Sequence, residues 1–183
     1  MPRHHLLLGQ GKAEKPRRAA ASGEAGMSPP PASPQRHFVD VWNPSYATDP
    51  MEAHLALLLD AARRYERREL DEDDLHVWWG RVRSPNRQQE LRHLPEVLEV
   101  AAELEGDTDR ECHLYLTDYR SLYVGHVDEI TQADVRALPK AQVPAYYAQN
   151  QLECDCWYRL LDIRRLVADD TLAVIRELKA LLN

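Results

Sequence analysis

Apolar residues recur along this chain at two spacings, which predict where strands and helices form. The run from Phe38 to Trp42 alternates apolar and polar positions, a pattern typical of a half-buried strand. Between residues 51 and 69 the apolar positions fall three or four apart, as at Leu55, Leu58 and Ala62, which is typical of an amphipathic helix. Both patterns appear repeatedly, so the chain is expected to mix strands and helices.

Five segments have the strand pattern and four have the helical pattern. The predicted strands are 38–42, 75–83, 112–117, 122–130 and 154–161, the last leading into 162–166. The predicted helices are 51–69, 94–105, a short one at 131–138 capped by Thr131, and a final one capped by Asp169 or Asp170. In the final helix the apolar positions that recur on one face are Leu172, Ile175, Leu178, Leu181 and Leu182.

Local signals define several of these elements more closely. Asp49 followed by proline is typical of an N-cap with proline at the first helical position. The segments 112–117 and 122–130 are joined by only four residues, which predicts a β-hairpin. Gly125 interrupts the second strand and indicates a bulge or the close approach of a ligand.

The order of elements is strand, helix, strand, helix, two strands, a short helix, strand, helix. The strands are short, and the glycine-rich turns of a doubly wound nucleotide-binding fold are absent from the sequence. We therefore predict an α+β domain with a small, mixed, barrel-like β-sheet flanked by α-helices.

The first 36 residues have a different composition. They are rich in Ala, Gly, Pro, Ser and Arg, and such a segment cannot bury enough apolar surface to offset its ordering entropy. We predict a disordered leader at 1–36, with Met27 as an alternative translation start, and a single domain at 37–183.

Charge is distributed unevenly between these two parts. The chain of 183 residues has a net charge of −7. Residues 1–36 contain six Lys or Arg against two Glu, for +4, and the rest contains 17 against 28 acidic residues, for −11. So acidic a domain is a poor non-specific binder of nucleic acid unless its arginines gather on one face.

Other features of the composition indicate a cytoplasmic protein. No apolar run approaches the roughly 20 residues that a membrane-spanning helix needs. The three cysteines, an odd and low number, indicate reduced thiols and not a disulfide framework.

The aromatic residues are the most informative part of the composition. Four Trp and eight Tyr stand against one Phe, although a core built only for packing would favour Phe, because buried Trp and Tyr need polar partners. We interpret some of them as the walls of a ligand pocket, with arginines as anion contacts, while half or more belong to the core. The candidate walls are Trp42, Trp78, Trp79, Tyr119, Tyr123 and Trp157, and the candidate anion contacts are Arg81, Arg83 and Arg120. Adjacent residues of a strand face opposite ways, so only one of Trp78 and Trp79 can line a given pocket.

Catalytic and metal-binding patterns are not found. The sequence has no P-loop, nucleophile elbow or zinc-protease motif, and the spacing of Cys154 and Cys156 is too tight for a zinc knuckle. A carboxylate cluster for Mg²⁺ is conceivable, but no spacing demands it; its members would be Asp118, Asp128, Glu129, Asp155 and Asp162. We predict no catalytic residue, no cofactor and no metal.

Several segments between residues 37 and 167 resemble the PUA-like superfamily, in particular its EVE and ASCH type of domain. The resemblance lies in the first strand ending at Trp42, in DLHVWWGRVR from Asp74, in LYVGHV from Leu122 and in CWYR from Cys156. It implies a small barrel whose aromatic pocket holds a modified or flipped base, or structured RNA. The acidic domain and the helix at 94–105 depart from this pattern.

A second resemblance is to an uncharacterised bacterial family. It lies in VWNPSYA, VWWGRVRSPNR, HLYLTDYRSLYVGHV and DIRRLVADDT. In that family such a region precedes further domains, which by analogy implies a part of a bacterial, defence-type assembly.

Three functions follow as hypotheses. The first is a non-catalytic recognition module that binds a modified nucleobase, a nucleotide or a nucleic-acid end in a Trp/Tyr-lined pocket. The alternative is a protein-interaction subunit of a larger assembly, and a third is a metal-dependent nuclease. A concave aromatic pocket favours the first, a flat aromatic patch the second, and converging carboxylates the third.

Overall fold

The computed structural model describes residues 36–84, 93–106 and 111–181. The predicted leader, except for Arg36, lies outside them, as does the alternative start at Met27. The strands are β1 Phe38–Val41, β2 Val77–Val82, β3 Cys112–Thr117, β4 Leu122–Thr131 and β5 Cys154–Val167. The helices are α1 Pro50–Glu66, α2 Leu94–Gly106, α3 Tyr146–Gln149 and α4 Thr171–Leu181, with single 3₁₀ turns at Pro44–Tyr46, Glu72–Asp74 and Val135–Ala137.

The five strands form one mixed sheet in the order β1-β3-β4-β5-β2. β1 pairs with β3 in parallel, and the other neighbours are antiparallel. The 14-residue β5 pairs with β4 along most of its length and with β2 near its start. Register shifts in both pairings increase the local twist, and the sheet curls into a half-barrel. The predicted α+β class with a barrel-like sheet is confirmed.

The concave side of the sheet holds the main core. Inward side chains of all five strands meet apolar residues of α1 and α2, where α2 packs on β4 and α1 on β2. Fully buried members of this core are Val77, Val100, Cys112, Leu114, Leu116, Val127, Cys156 and Leu160. The core therefore fixes the curvature that brings the two edge strands, β1 and β2, towards each other.

Local signals in the sequence correctly predicted where α1 and α4 begin. Asp49 caps α1 by accepting a 2.9 Å hydrogen bond from Glu52 N, with Pro50 at the first helical position. Asp170, one of the two candidate caps, accepts a 3.0 Å bond from Ala173 N and begins α4. A Cβ on Gly125 would lie 2.9 Å from the carbonyl oxygen of Asp162, so this glycine permits the close approach of β5.

One predicted helix was wrong. Residues 131–138 do not form a helix, because Thr131 is the last residue of β4 and Asp134 caps only a single 3₁₀ turn. The predicted final helix forms as α4, and much of its apolar surface is exposed: Leu172 is 75% exposed, and Val174 is the buried residue of that helix. Leu182 lies outside the described residues. Among the described residues, no helix combines the length and the apolar character that a membrane crossing requires.

Candidate functional site

The two edge strands of the half-barrel are joined through Asp40. This residue is on the inward side of β1, only 5% exposed, and accepts a 2.8 Å hydrogen bond from Trp79 Nε1 on β2. Its other carboxylate oxygen accepts a hydrogen bond from Arg81, also on β2, which completes an ion pair. Side chains two residues apart on β2 thus hold one carboxylate, because they share a face of the strand.

Burial raises the pKa of Asp40 above its ordinary value, although Arg81 and the Trp79 indole act in the opposite direction. Removing a carboxylate from water costs several kcal/mol, which an ion pair offsets only when its geometry is good. Arg81 is about one-third exposed and lies at the surface end of the pair. The result is a buried negative charge with a partly accessible cation beside it.

This pair lies in a narrow cavity at the open side of the half-barrel, which we call the mouth cleft. Its aromatic and charged lining residues are Asp40, Trp42, Tyr46, Trp79, Arg81, Tyr146 and Tyr147. The space inside is about 20 Å³, enough for about one water molecule. The mouth cleft alone is therefore too small for a nucleobase.

A larger cavity adjoins it, and we call this one the outer cleft. Tyr46 and Val82 line both cavities. The remaining walls of the outer cleft are Arg83, Ser84, Asn150, Gln151, Leu152 and Glu153. Its volume of about 440 Å³ is within the usual range for small-molecule sites. Asn150 donates a 2.6 Å hydrogen bond to the carbonyl of Tyr46, which ties the two walls together.

The predicted aromatic residues do not converge on one cavity. Trp42 and Trp79 meet edge to face at 6.1 Å and line the mouth cleft. Trp78 and Trp157 are buried in a separate cluster with Tyr146 and Tyr147. Trp78 and Trp79 thus belong to different sides of β2, as the strand pattern predicted.

The hairpin residues lie on the other side of Trp42. Tyr123 packs edge to face on Trp42 at 5.9 Å, and both line a third cavity of about 290 Å³. Tyr119 is more than half exposed in the hairpin turn, in the left-handed conformation (φ 67°), and lines none of the three cavities described here. Arg120, in the same turn, pairs with Asp169 at 3.3 Å.

Each arginine that the sequence suggested as an anion contact is paired with a carboxylate. Arg81 binds Asp40, and Arg120 binds Asp169. Arg83 Nε lies 2.9 Å from Asp155, and its Nη1 lies 3.6 Å from Glu153. A ligand phosphate would have to compete with these carboxylates for the same donors.

The acidic residues considered for a nuclease are dispersed. Asp128 pairs with Arg159 at 2.9 Å, Asp155 pairs with Arg83, and Asp162 accepts a 3.0 Å bond from His126 N. Within residues 36–84, 93–106 and 111–181, no group of three or more His, Cys, Asp or Glu side chains is arranged to hold a metal ion.

The three cysteines, all within the described residues, form no disulfide bond. Burial raises the pKa of Cys154 to about 12 and that of Cys156 to about 11. Both thiols are therefore protonated at neutral pH and are poor nucleophiles.

Several residues of this region were not among the candidates predicted from the sequence: Asp40, Tyr46, His54, Tyr146 and Tyr147. Asp40 had a signal, since it is a charged residue between Phe38 and Trp42 on the inward side of a predicted strand. Tyr46 lies in a turn, where no periodicity marks it. His54, on the buried side of α1, packs on Trp79 with the two ring centroids 4.4 Å apart and the rings tilted by 33°.

No family model, curated protein or solved structure matches the chain. The resemblance to PUA-like domains stays a prediction, and the functional argument rests on the geometry of the two clefts.

Proposed function

We propose that this protein is a non-catalytic recognition module that binds a modified nucleobase or nucleotide at the open side of its half-barrel. One observation carries the proposal: the buried carboxylate of Asp40, paired with the accessible Arg81, faces a cleft with walls of Trp42 and Tyr46. A PUA-like kinship and a cytoplasmic location belong to the same proposal, whereas a place in a bacterial defence-type assembly belongs to the alternative of a protein-interaction subunit.

The Asp40–Arg81 pair is better explained by recognition than by stability. Replacing a buried ion pair with apolar residues is often neutral or stabilising, so such a pair is weak evidence of a stabilising role. A buried acid with a shifted pKa and a specific partner in a cleft is instead typical of functional sites. A base edge carries donors and acceptors that match a guanidinium and a carboxylate.

The volumes of the two clefts determine where the base binds. The base occupies the outer cleft, against the ring of Tyr46, and directs its polar edge to the mouth cleft. Trp42 and Trp79 then form the aromatic floor near that edge. Selectivity for a modified base arises where the added group meets the walls that Tyr46 and Val82 share.

Tryptophan fluorescence of the full chain, titrated with modified and unmodified nucleosides, nucleotides and short oligonucleotides, tests the proposal. Tyr46→Ala removes the stacking surface, so affinity should fall roughly 5- to 150-fold, which corresponds to about 1–3 kcal/mol. Tyr65→Ala is the control, because Tyr65 is an exposed tyrosine on α1 outside both clefts. Absence of any response from the unsubstituted protein would reject the proposal.

The alternative of a protein-interaction subunit is favoured by a different feature. α4 exposes the apolar side chains Leu172, Ile175 and Leu181. If no base, nucleotide or oligonucleotide binds, the protein-interaction subunit becomes the preferred hypothesis. The nuclease alternative has no comparable support in the described part of the chain.

A further inference from the structure

Arg81 is the accessible member of the ion pair in the mouth cleft. Its Nη1 donates a hydrogen bond to one carboxylate oxygen of Asp40, while the other oxygen accepts from Trp79. Asp40 is only 5% exposed, so little of its carboxylate is open to a ligand. The side chain of Arg81 is 31% exposed and lines the cleft. Polar contacts to a ligand at this end of the site are therefore made mainly by the guanidinium of Arg81.

This guanidinium keeps most of its hydrogen-bonding capacity for a ligand. An arginine side chain has five N–H donors and no acceptor. The bond to Asp40 uses Nη1, and within residues 36–84, 93–106 and 111–181 neither Nε nor Nη2 of Arg81 donates a hydrogen bond. In Arg83, by contrast, Nε donates to Asp155. The Nε–Nη2 edge of Arg81 therefore presents two parallel donors, held in place by the pair with Asp40.

Two parallel donors match a base edge that carries two neighbouring acceptors. Guanine presents O6 and N7 side by side, and an arginine bound to both is the commonest base-specific contact of this side chain. Adenine has an amino donor beside N7, and uracil alternates its carbonyl oxygens with an N–H donor, so each would set a donor against Arg81. Cytosine has neighbouring acceptors at O2 and N3, but O2 adjoins the nitrogen that carries the sugar. The mouth cleft, with about 20 Å³ inside, has no room for a sugar.

We infer that this site recognises the O6–N7 edge of a guanine-type base, and that Arg81 is its specificity-determining residue. This inference rests on the proposed function and narrows it to one class of base. The base lies in the outer cleft against Tyr46 and directs this edge to Arg81, while Asp40 positions the guanidinium. Groups added at O6 or N7 abolish the match, whereas N1 and N2 lie away from this edge and are the positions where a modification is accepted.

Fluorescence titrations of the full chain test this specificity. Guanosine, inosine and the N1- and N2-methylated guanosines are compared with adenosine, N6-methyladenosine, cytidine, 5-methylcytidine and uridine. The guanine-type nucleosides should bind roughly 5- to 150-fold more tightly. 7-Deazaguanosine, in which a C–H group replaces N7, should lose most of that advantage.

The outcomes of these titrations separate the inference from the proposed function. Tighter binding of any other base, equal binding of all bases, or equal affinities for guanosine and 7-deazaguanosine would overturn the inference and leave the proposed function standing. If no nucleoside binds, both fail together.

One substitution tests the role of Arg81. Arg81→Lys keeps a positive charge beside Asp40, but a single ammonium group does not present two parallel donors. The preference for guanosine over adenosine should fall at least about fivefold. Arg120→Lys is the control, because Arg120 is also paired with a carboxylate but lies outside both clefts, and it should leave the preference unchanged.

Denaturant melts show whether the Arg81→Lys protein is folded. A folded Arg81→Lys protein with the original preference for guanosine would overturn the inference. If the variant does not fold, the comparison of guanosine with 7-deazaguanosine on the unsubstituted protein decides.

Discussion

The indole nitrogen of Trp79 on β2 donates a 2.8 Å hydrogen bond to the carboxylate of Asp40 on β1. These strands stand at opposite ends of the sheet order, so no backbone pairing joins them. The contacts across the open side of the half-barrel are therefore made by side chains: this bond, the Asp40–Arg81 pair and the packing of Trp42 against Trp79. The same contacts form the floor of the proposed site.

Asp40→Ala should destabilise the protein by about 2–4 kcal/mol. The substitution leaves the indole N–H of Trp79 buried without an acceptor and separates Arg81 from its counter-charge. Asp40→Asn should cost less, because its amide oxygen still accepts from Trp79. Denaturant melts give both values, with the exposed Val39→Ala on the same strand as control. A loss of under about 0.5 kcal/mol for Asp40→Ala would show that the contact between β1 and β2 through this residue contributes little to stability.

Tyr147→Phe should cost about 1–3 kcal/mol of stability. The Tyr147 hydroxyl accepts a 2.9 Å hydrogen bond from Gly80 N and donates a 3.3 Å bond to Gly80 O, so it pairs both backbone groups on the outer edge of β2. Removing the hydroxyl leaves a buried N–H without its acceptor. Chemical denaturation of Tyr147→Phe and of the exposed Tyr65→Phe provides the comparison. Equal midpoints for the two variants would refute this role.

Local sequence signals and long-range contacts differ in how far they were predictable. The strands, α1 and the hairpin 112–131 follow from alternation, helical spacing and the Asp49 cap, all of which act within a few neighbouring residues. The helix predicted at 131–138, with Thr131 as its cap, does not form, because Thr131 and Asp134 satisfy nearby N–H groups in turns.

The site was harder to predict, because its contacts depend on the order of the strands. The Trp79–Asp40 bond spans 39 residues and exists only because β1 and β2 end up at the two edges of a curled sheet. Alternation showed that Trp78 and Trp79 face opposite sides, but it did not show which side holds the cleft. Tyr46 lies in a 3₁₀ turn without periodicity, and the carboxylate partners of Arg83 lie on β5 or just before it.

Two glycine-to-alanine substitutions should differ in their effect on stability. At Gly125 a Cβ would lie 2.9 Å from the backbone oxygen of Asp162, and backbone cannot move aside easily, so Gly125→Ala should cost about 1–3 kcal/mol. At Gly106, the last residue of α2, a Cβ meets nothing within 4 Å, so Gly106→Ala should be neutral or stabilise by up to about 1 kcal/mol. Thermal unfolding of both variants measures the difference. A Gly125→Ala variant as stable as the unsubstituted protein would show that β4 and β5 do not approach each other this closely.

The last prediction concerns His54, which packs on Trp79 and whose protonation should make the stability of the protein depend on pH. Burial lowers the pKa of this histidine from 6.5 to about 4, while Nδ1 lies 2.7 Å from the carbonyl oxygen of Pro50. In the unfolded chain the ring takes up a proton near pH 6.5, whereas the folded protein resists protonation until about pH 4. The stabilising contribution is therefore complete above pH 6.5 and is lost as the pH falls towards 4, by about 1.4 kcal/mol per pH unit and up to about 3 kcal/mol in all.

His54→Asn isolates this contribution. Asparagine can still donate to Pro50 O but does not titrate, so the free energy of unfolding should fall less steeply between pH 6.5 and 4 than in the unsubstituted protein, whatever the overall loss of stability. Denaturant melts at a series of pH values give the slopes. His76 and His113, whose pKa values burial also lowers, are present in both proteins and cancel in the comparison. An unchanged slope in His54→Asn would show that the buried imidazole is not the group that makes the fold acid-sensitive.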